Sequence, residues 1–202
     1  MISLPLVYTI LALVSYTSSF WYLFIHLMSK RTPNLWCYGF IVVLGLILHG
    51  LVLSQDMITP LGVNYDVFNL ISFTSGLMLS LSLILSLIRP ILPLNLIGIP
   101  VAAIGLILGF SLSQSNQTIE HHGVGLDTHI ILSLSAYAVL LMATIQAVLL
   151  WFQDRELKKK QKKRIWVNLL PPFQVMESLL FDLIITGFGL LTAALIFGFF
   201  TI

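Results

Sequence analysis

Six long apolar segments dominate the sequence, and the short turns between them hold nearly all of the charged residues. A transmembrane helix needs about 20 mostly apolar residues to cross the roughly 30 Å hydrocarbon core of a bilayer. The segments that meet this requirement lie near residues 3–27, 36–54, 67–88, 91–112, 128–152 and 177–200. We therefore predict an all-α, polytopic transmembrane bundle of about six spans.

The composition excludes a water-soluble fold for this chain. Of its 202 residues, 58% are hydrophobic and 9% are charged, whereas roughly 25% of the residues in a soluble domain are charged. The mean hydropathy is +1.00. A soluble protein of this size would need more polar surface. Residues 1–202 are therefore predicted to form a single integral membrane domain whose main contact is the lipid bilayer.

Basic and acidic turns alternate along the chain, and this alternation predicts the orientation. The charged residues in successive turns are Lys30 and Arg31, then Asp56 and Asp66, then Arg89, then Glu120 and Asp127, and finally the run 158–164. Lys and Arg are retained on the cytoplasmic side of short loops. Turns one, three and five are therefore predicted inside, with both termini outside.

The fifth turn, residues 153–170, is predicted to be a cytoplasmic basic loop. Its cluster consists of Lys158, Lys159, Lys160, Lys162, Lys163 and Arg164. A cluster of this kind is able to attract nucleic acid or anionic lipid. Because this one directly follows a span, we expect it to contact lipid headgroups and not nucleic acid.

Small residues predict which helix faces pack together. Gly98, Ala102, Gly105 and Gly109 fall on one face of the fourth span, and Gly187, Ala194 and Gly198 share a face of the sixth. Small side chains allow close helix approach where lipid provides no hydrophobic driving force. We expect these faces to point inward, and the short turn at Arg89 to make the third and fourth spans antiparallel neighbours.

Two histidines within the spans are the candidate site residues, because ionisable groups in a bilayer are costly and commonly functional. His49 lies about one turn inside the predicted outer end of the second span, and His129 begins the fifth. The face of His129 continues through Ser133, Ala136, Ala143 and Ala147, so it should lie against another helix or a flat ligand. The two imidazoles could ligate the iron of a macrocycle from opposite sides. Alternatively, each is an interfacial histidine bonded to a backbone carbonyl or water.

The remaining titratable residues favour structural roles. His121 and His122, in an outer turn, are either solvated loop residues or additional ligands. His26 is predicted to be an interface anchor on the cytoplasmic side. Glu177 and Asp182 begin the sixth span, where carboxylates suit a helix amino terminus and could pair with the basic loop.

Motifs for hydrolysis and nucleotide binding are missing from the sequence, including Ser-x-x-Lys, His-Glu-x-x-His and a Gly-rich phosphate loop. The one cysteine, Cys37, offers no disulfide or Cys-x-x-Cys pair. We therefore expect a protein that is not an enzyme, and any redox role would depend on a bound cofactor.

Several segments together resemble the integral membrane cytochrome c assembly proteins, a heme-handling family with CcsA- and CcmC-like members. The similarity is to its short YpjD/HemX-like branch. The matching stretches are LILHG at 46–50, FNL at 68–70, HIILSLSAY at 129–137, residues 146–157, and LPPF at 170–173 leading to Glu177, Leu180, Phe181, Gly187, Leu190, Leu191, Thr192 and Gly198. The Trp-rich outer loop of the larger members has no counterpart, since no predicted outer turn contains tryptophan.

The resemblance implies a bacterial inner-membrane protein that handles heme in cytochrome c maturation or heme biosynthesis. It also implies that His49 and His129 are heme ligands, and that other maturation components are partners. The main alternative is a non-catalytic scaffold or accessory subunit without heme. A small-solute transporter is less favoured, because no span carries paired buried charges or matching broken helices.

Overall fold

Six long helices form the protein in the computed structural model, which describes residues 3–29, 31–59, 62–89, 91–113, 118–120, 124–158 and 170–201. The helices are α1 (Leu4–Met28), α2 (Leu35–Met57), α3 (Val67–Ile88), α4 (Asn95–Leu112), α5 (Val124–Leu157) and α6 (Phe173–Thr201). A short 3₁₀ turn, Leu92–Leu94, precedes α4. All six are long and apolar enough to cross a membrane. The prediction of an all-α polytopic bundle is confirmed.

Helix α5 is longer than the sequence predicted. It spans 34 residues, or about 51 Å at 1.5 Å per residue, which exceeds the roughly 30 Å hydrocarbon core. Its last turns extend through Leu157, into the segment 153–170 that was predicted as a loop. Burial explains the extension, because Gln153 lies inside the protein and its Nε2 donates a hydrogen bond to the Pro171 carbonyl at 2.9 Å.

A small antiparallel sheet, which the sequence did not predict, joins two turns at one end of the bundle. Strand β1 (Ile58–Thr59) pairs with β2 (Gly62–Asn64), and β2 pairs with β3 (Thr118–Glu120). Gly62 has a φ of 146°, a conformation open mainly to glycine. The sheet places the α2–α3 and α4–α5 turns together at what we call the sheet end of the bundle. We call the opposite end, which carries Arg89 and Lys158, the basic end.

Two hydrophobic cores lie side by side in the bundle and share helices α3 and α4. The first core joins α1, α2, α3 and α4, and its buried members are Ala12, Tyr16, Leu23, Tyr38, Val42, Val52, Leu79, Ile99, Ala102 and Leu106. The second core joins α3 and the turn before α4 with α5 and α6, and its buried members are Met78, Ile91, Leu94, Ala138, Val139, Met142, Ala143, Leu179 and Leu183. His49 lies beside the first core, where it contacts Tyr16.

The small-residue faces pack as predicted. Gly105 faces Ser75 of α3 so closely that an added Cβ would lie 2.0 Å from the serine Oγ. Gly187 lies against Leu140 of α5, where an added Cβ would be 2.7 Å from a leucine methyl carbon. Helices α3 and α4 are packed neighbours, as the short turn predicted. The α5 stripe is only partly confirmed, because Ala136 and Ala143 are buried whereas Ala147 is exposed.

An ion pair attaches α6 to the basic end of the bundle. Arg89 follows α3 and donates one hydrogen bond to Asp182 and another, of 2.6 Å, to Ser178 Oγ. The structure therefore pairs Asp182 with Arg89, whereas the sequence suggested the basic loop as its partner. The cluster residues 159–164 lie outside the described part of the chain.

Candidate functional site

His49 is enclosed by three helices and is 1% exposed. Its Nδ1 lies 3.0 Å from the hydroxyl oxygen of Tyr16 on α1. Its Nε2 lies 2.9 Å from the hydroxyl oxygen of Ser72 on α3. Both ring nitrogens are therefore hydrogen-bonded to other side chains, which satisfies the polar atoms of a buried imidazole.

Two glycines allow the helices to close around this ring. A Cβ added at Gly76 of α3 would lie 3.3 Å from His49 Cε1, and one added at Gly45 of α2 would lie 2.8 Å from the ring of Tyr16. Ser72 is confined in turn by α4, since a Cβ added at Gly109 would lie 2.7 Å from the Ser72 Cβ. Glycines of α2, α3 and α4 therefore allow close packing around the Tyr16–His49–Ser72 chain.

His129 is half-buried where α5 meets α6. Its Nδ1 lies 2.8 Å from the carbonyl oxygen of Ala194. A Cβ added at Gly198, one turn further along α6, would lie 2.7 Å from the same nitrogen. The His129 ring fits against α6 because residue 198 has no side chain. The small-residue face of α6 therefore makes room for this ring at Gly198.

The bond to Ala194 fixes the tautomer of His129. A carbonyl oxygen only accepts hydrogen bonds, so Nδ1 must carry the proton. In the neutral ring, Nε2 then has a free lone pair. Within the described residues Nε2 makes no hydrogen bond. An imidazole held by a backbone carbonyl with the other nitrogen free is the usual arrangement of a metal-ligating histidine.

An apolar cleft of about 390 Å³ lies at the sheet end between α2 and α5, within the roughly 300–1,000 Å³ of ligand pockets. Its walls are mainly Leu53, Met57, Phe73, Ile130, Ile131 and Leu134. A smaller cleft of about 180 Å³ adjoins it through Gly50, Leu53 and Phe73, and His49 lines this smaller one. The two clefts are therefore neighbours that share lining residues.

His129 lines neither of these two clefts. Asp127, Ile130, Ile131 and Leu134 form the cleft face of α5. At about 100° per residue, His129 projects about 150° away from the middle of that face. Its partners are on α6, whereas those of His49 are on α1 and α3. The structure therefore does not place the two rings on opposite sides of one ligand, and ligation by the pair remains a prediction from sequence.

A tyrosine–aspartate pair closes the sheet end of the larger cleft. Tyr65 Oη donates a hydrogen bond of 2.5 Å to Asp127 Oδ1, which links the α2–α3 turn to the first turn of α5. Burial, followed by this hydrogen bond and the negative charge of Asp127, raises the pKa of Tyr65 well above its usual value. The phenol of Tyr65 is therefore held in its neutral form.

His26 is the one other histidine among the described residues, and it takes no part in a metal-binding cluster there. His26 Nδ1 lies 2.8 Å from the Tyr22 carbonyl oxygen within α1, and the ring centroids of His26 and Tyr22 are 4.2 Å apart. His121 and His122 lie outside the described residues. Within the described ranges no three His, Cys, Asp or Glu residues are grouped to hold a metal ion.

The sequence of this chain matches a known protein family. The sequence profile described as "Cytochrome C assembly protein" matches residues 4–200, which is nearly the whole chain. The chain belongs to the cytochrome c assembly protein family. No curated protein and no solved structure shows significant similarity to it.

The cytochrome c assembly family implies heme, and the two histidines differ in how well they fit that group. His129 has a fixed ring and a free Nε2, as an iron ligand requires. His49 has no free nitrogen in this arrangement. Sequence reasoning did not identify Tyr16, Ser72 or the Ala194 carbonyl as partners. For Tyr16 and Ser72, the available signal was a polar side chain inside an apolar span.

Proposed function

We propose that this member of the cytochrome c assembly family binds heme inside the membrane and supports cytochrome c maturation in the inner membrane of a bacterium. The observation that carries the proposal is the geometry of His129, whose Nδ1 is fixed by Ala194 so that Nε2 is free to bind iron. Family membership over residues 4–200 makes heme the expected metal group. Association with other cytochrome c maturation components is part of the proposal.

The residues of the chain have separate tasks in this function. His129 would hold the heme iron through Nε2, because neutral imidazole is a strong iron ligand. The Ala194 carbonyl orients the ring and makes Nε2 more basic. Bound heme supplies the iron centre.

A scaffold that holds no heme is the second candidate function. It is favoured by the packing of His49, because a histidine with both nitrogens bonded inside the protein needs no ligand to explain its presence. A scaffold would contribute helix surfaces to a larger membrane complex.

The visible absorption spectrum separates these two functions. Protein made in heme-replete cells and purified in detergent should show a Soret band, with about one heme per chain. His129→Ala should lose the band, whereas the matched control His26→Ala should keep it, because His26 is bonded within α1. Absence of heme from the wild-type protein would refute heme binding and leave the scaffold function.

The orientation is also part of the proposal, and it rests on the alternation of basic and acidic turns. The sheet supports one element of it, because it places the second and fourth turns at the same end. A reporter fused after Lys163 should be active only in the cytoplasm, and one fused after Gln117 only outside. The reverse pattern would place both histidines in the inner leaflet.

A further inference from the structure

We propose that the apolar cleft between α2 and α5 binds one acyl chain of a phospholipid whose headgroup carries an ammonium group, and that this ammonium group pairs with Asp127. The site consists of the cleft of about 390 Å³ and the smaller cleft of about 180 Å³ beside it. His129 lines neither of them. The proposed lipid site is therefore independent of heme binding, and a chain without heme would still contain it.

The length of the two clefts fits a single acyl chain. Their lining residues on α2 run from Met57, in the larger cleft, to Leu46, in the smaller one. At 1.5 Å per residue this stretch of helix covers about 16 Å, which is close to half of the roughly 30 Å hydrocarbon core. Half of that core is the depth of one leaflet. Because the clefts share Gly50, Leu53 and Phe73, the chain passes along α2 from one cleft to its neighbour.

The larger cleft is bordered by exposed apolar residues, so lipid has access to it from the side. Helices α2 and α5 both pack against α3, and Phe73 of α3 lines both clefts. Ile58 and Ile131 line the larger cleft and are 68% and 54% exposed. Gly50 is exposed as well, and a Cβ built there meets no atom of another helix within 4 Å. Exposed apolar surface of a membrane-spanning bundle faces acyl chains, which are as apolar as leucine.

A carboxylate marks the end of the larger cleft where a headgroup would lie. Among the described residues that line the two clefts, Asp127 is the one with a charged side chain. It lies near the start of α5, at the sheet end, and Tyr65 Oη donates a hydrogen bond to its Oδ1. A carboxylate accepts several hydrogen bonds. The bond from Tyr65 therefore leaves acceptor positions on Asp127 for a donor on the headgroup.

The charges of the sheet end favour a headgroup with an ammonium group. The segments 55–66 and 113–127 meet there through the sheet, and they contain Asp56, Asp66, Glu120 and Asp127 but no Lys or Arg. Such a surface attracts a cation and repels a headgroup that carries only negative charge. An ammonium group donates up to three hydrogen bonds, and those to a carboxylate are about twice as strong as neutral ones. Phosphatidylethanolamine has this headgroup, whereas phosphatidylglycerol has only a negative one.

Native mass spectrometry of the delipidated protein tests the site with these two lipids, matched in their acyl chains. Phosphatidylethanolamine should bind about tenfold more tightly than phosphatidylglycerol. Asp127→Asn keeps an acceptor for Tyr65 and removes the charge, so it should abolish this preference, as expected for the loss of one hydrogen bond between charged groups. Gly50→Leu should weaken the binding of both lipids, because its side chain fills the place that the clefts share. Gly189→Leu on α6, whose Cβ also meets no atom of another helix within 4 Å, is the matched control and should bind like the wild type.

Three results would overturn the proposed lipid site. The first is equal affinity of the wild type for the two lipids, or tighter binding of phosphatidylglycerol. The second is a preference for phosphatidylethanolamine that persists in Asp127→Asn, because the ammonium group would then be bound elsewhere. The third is binding that Gly50→Leu leaves unchanged, which would place the acyl chain outside the clefts. Ile131→Trp narrows the larger cleft from α5 and replaces Gly50→Leu in this test if that variant is not recovered in folded form.

Discussion

The two transmembrane histidines lie in different settings. His49 is surrounded by α1, α2 and α3 and has partners on both nitrogens. His129 is held by one neighbouring helix, α6, and has a partner on one nitrogen. The number of helices packed against an imidazole therefore decides whether one of its nitrogens stays without a hydrogen-bond partner. The same residue type in two apolar spans serves packing in one place and can serve ligand binding in the other.

The cores also use their polar residues differently. In the first, the chain Tyr16–His49–Ser72 joins side chains on three helices. In the second, glutamines of α5 reach backbone carbonyls near the start of α6: Gln146 Nε2 lies 2.9 Å from the Met176 oxygen, and Gln153 bonds to Pro171. Helix α6 is thus attached along one face, whereas α3 is packed on several sides.

The largest expected effect comes from the α3–α4 crossing. Gly105→Leu should abolish the recovery of folded protein, because even its Cβ would lie 2.0 Å from Ser75 Oγ and overpacked cores lose roughly 1–3 kcal/mol or more. Gly198→Leu should reduce the yield less, since the end of α6 contacts fewer helices. Size-exclusion chromatography in detergent measures both yields.

Gly189→Leu is the matched control for these two variants. A Cβ built at Gly189 meets no atom of another helix within 4 Å, so the yield of this variant should equal that of the wild type. Equal loss in all three variants would mean that the buried faces are assigned wrongly.

An intermediate effect should distinguish the polar groups of the two cores. Ser72→Ala leaves His49 Nε2 buried without a partner, which should cost about 1–3 kcal/mol and lower the Tm by roughly 2–4 °C for each kcal/mol in a chain of this size. Gln146→Leu keeps the volume and removes a buried oxygen, Oε1, that has no partner among the described residues. Its Tm should change by no more than about half as much.

Thermal unfolding in detergent measures both changes. If Gln146→Leu lowers the Tm more than Ser72→Ala does, the hydrogen bonds between α5 and α6 contribute more to stability than the Tyr16–His49–Ser72 chain.

The smallest effect is expected at the Arg89–Asp182 pair. Its side chains are 33% and 52% exposed, and exposed ion pairs contribute about 0–1 kcal/mol. Asp182→Asn should therefore lower the Tm by less than Ser72→Ala does, and added salt should reduce the difference from the wild type. A larger loss would show that this pair is needed to hold α6 against the bundle.

Much of the architecture was predictable because lipid imposes simple rules. Long apolar runs gave the six helices, and small residues such as Gly105 and Gly187 gave their contact faces. The sheet was missed because strands of two or three residues show no periodicity. The extension of α5 was missed because polar residues such as Gln153 suggest a loop until their partners are known.

The candidate site was predictable only in part. Burial cost singled out His49 and His129, and helical spacing placed His129 against another helix. Spacing along each span could not show which neighbour each ring meets, because that depends on the rotation of whole helices about their axes. The partners Ser72 and Ala194 follow only from that rotation, and Ala194 contributes a backbone atom that no sequence pattern indicates.

The most direct test of the account is the visible absorption spectrum of the unmodified protein, purified in detergent from heme-replete cells. We predict a Soret band that is lost in His129→Ala and kept in His26→Ala, because His129 is bonded through Nδ1 alone whereas His26 is bonded within α1. A wild-type protein without heme, or a Soret band that His129→Ala leaves unchanged, would contradict the account.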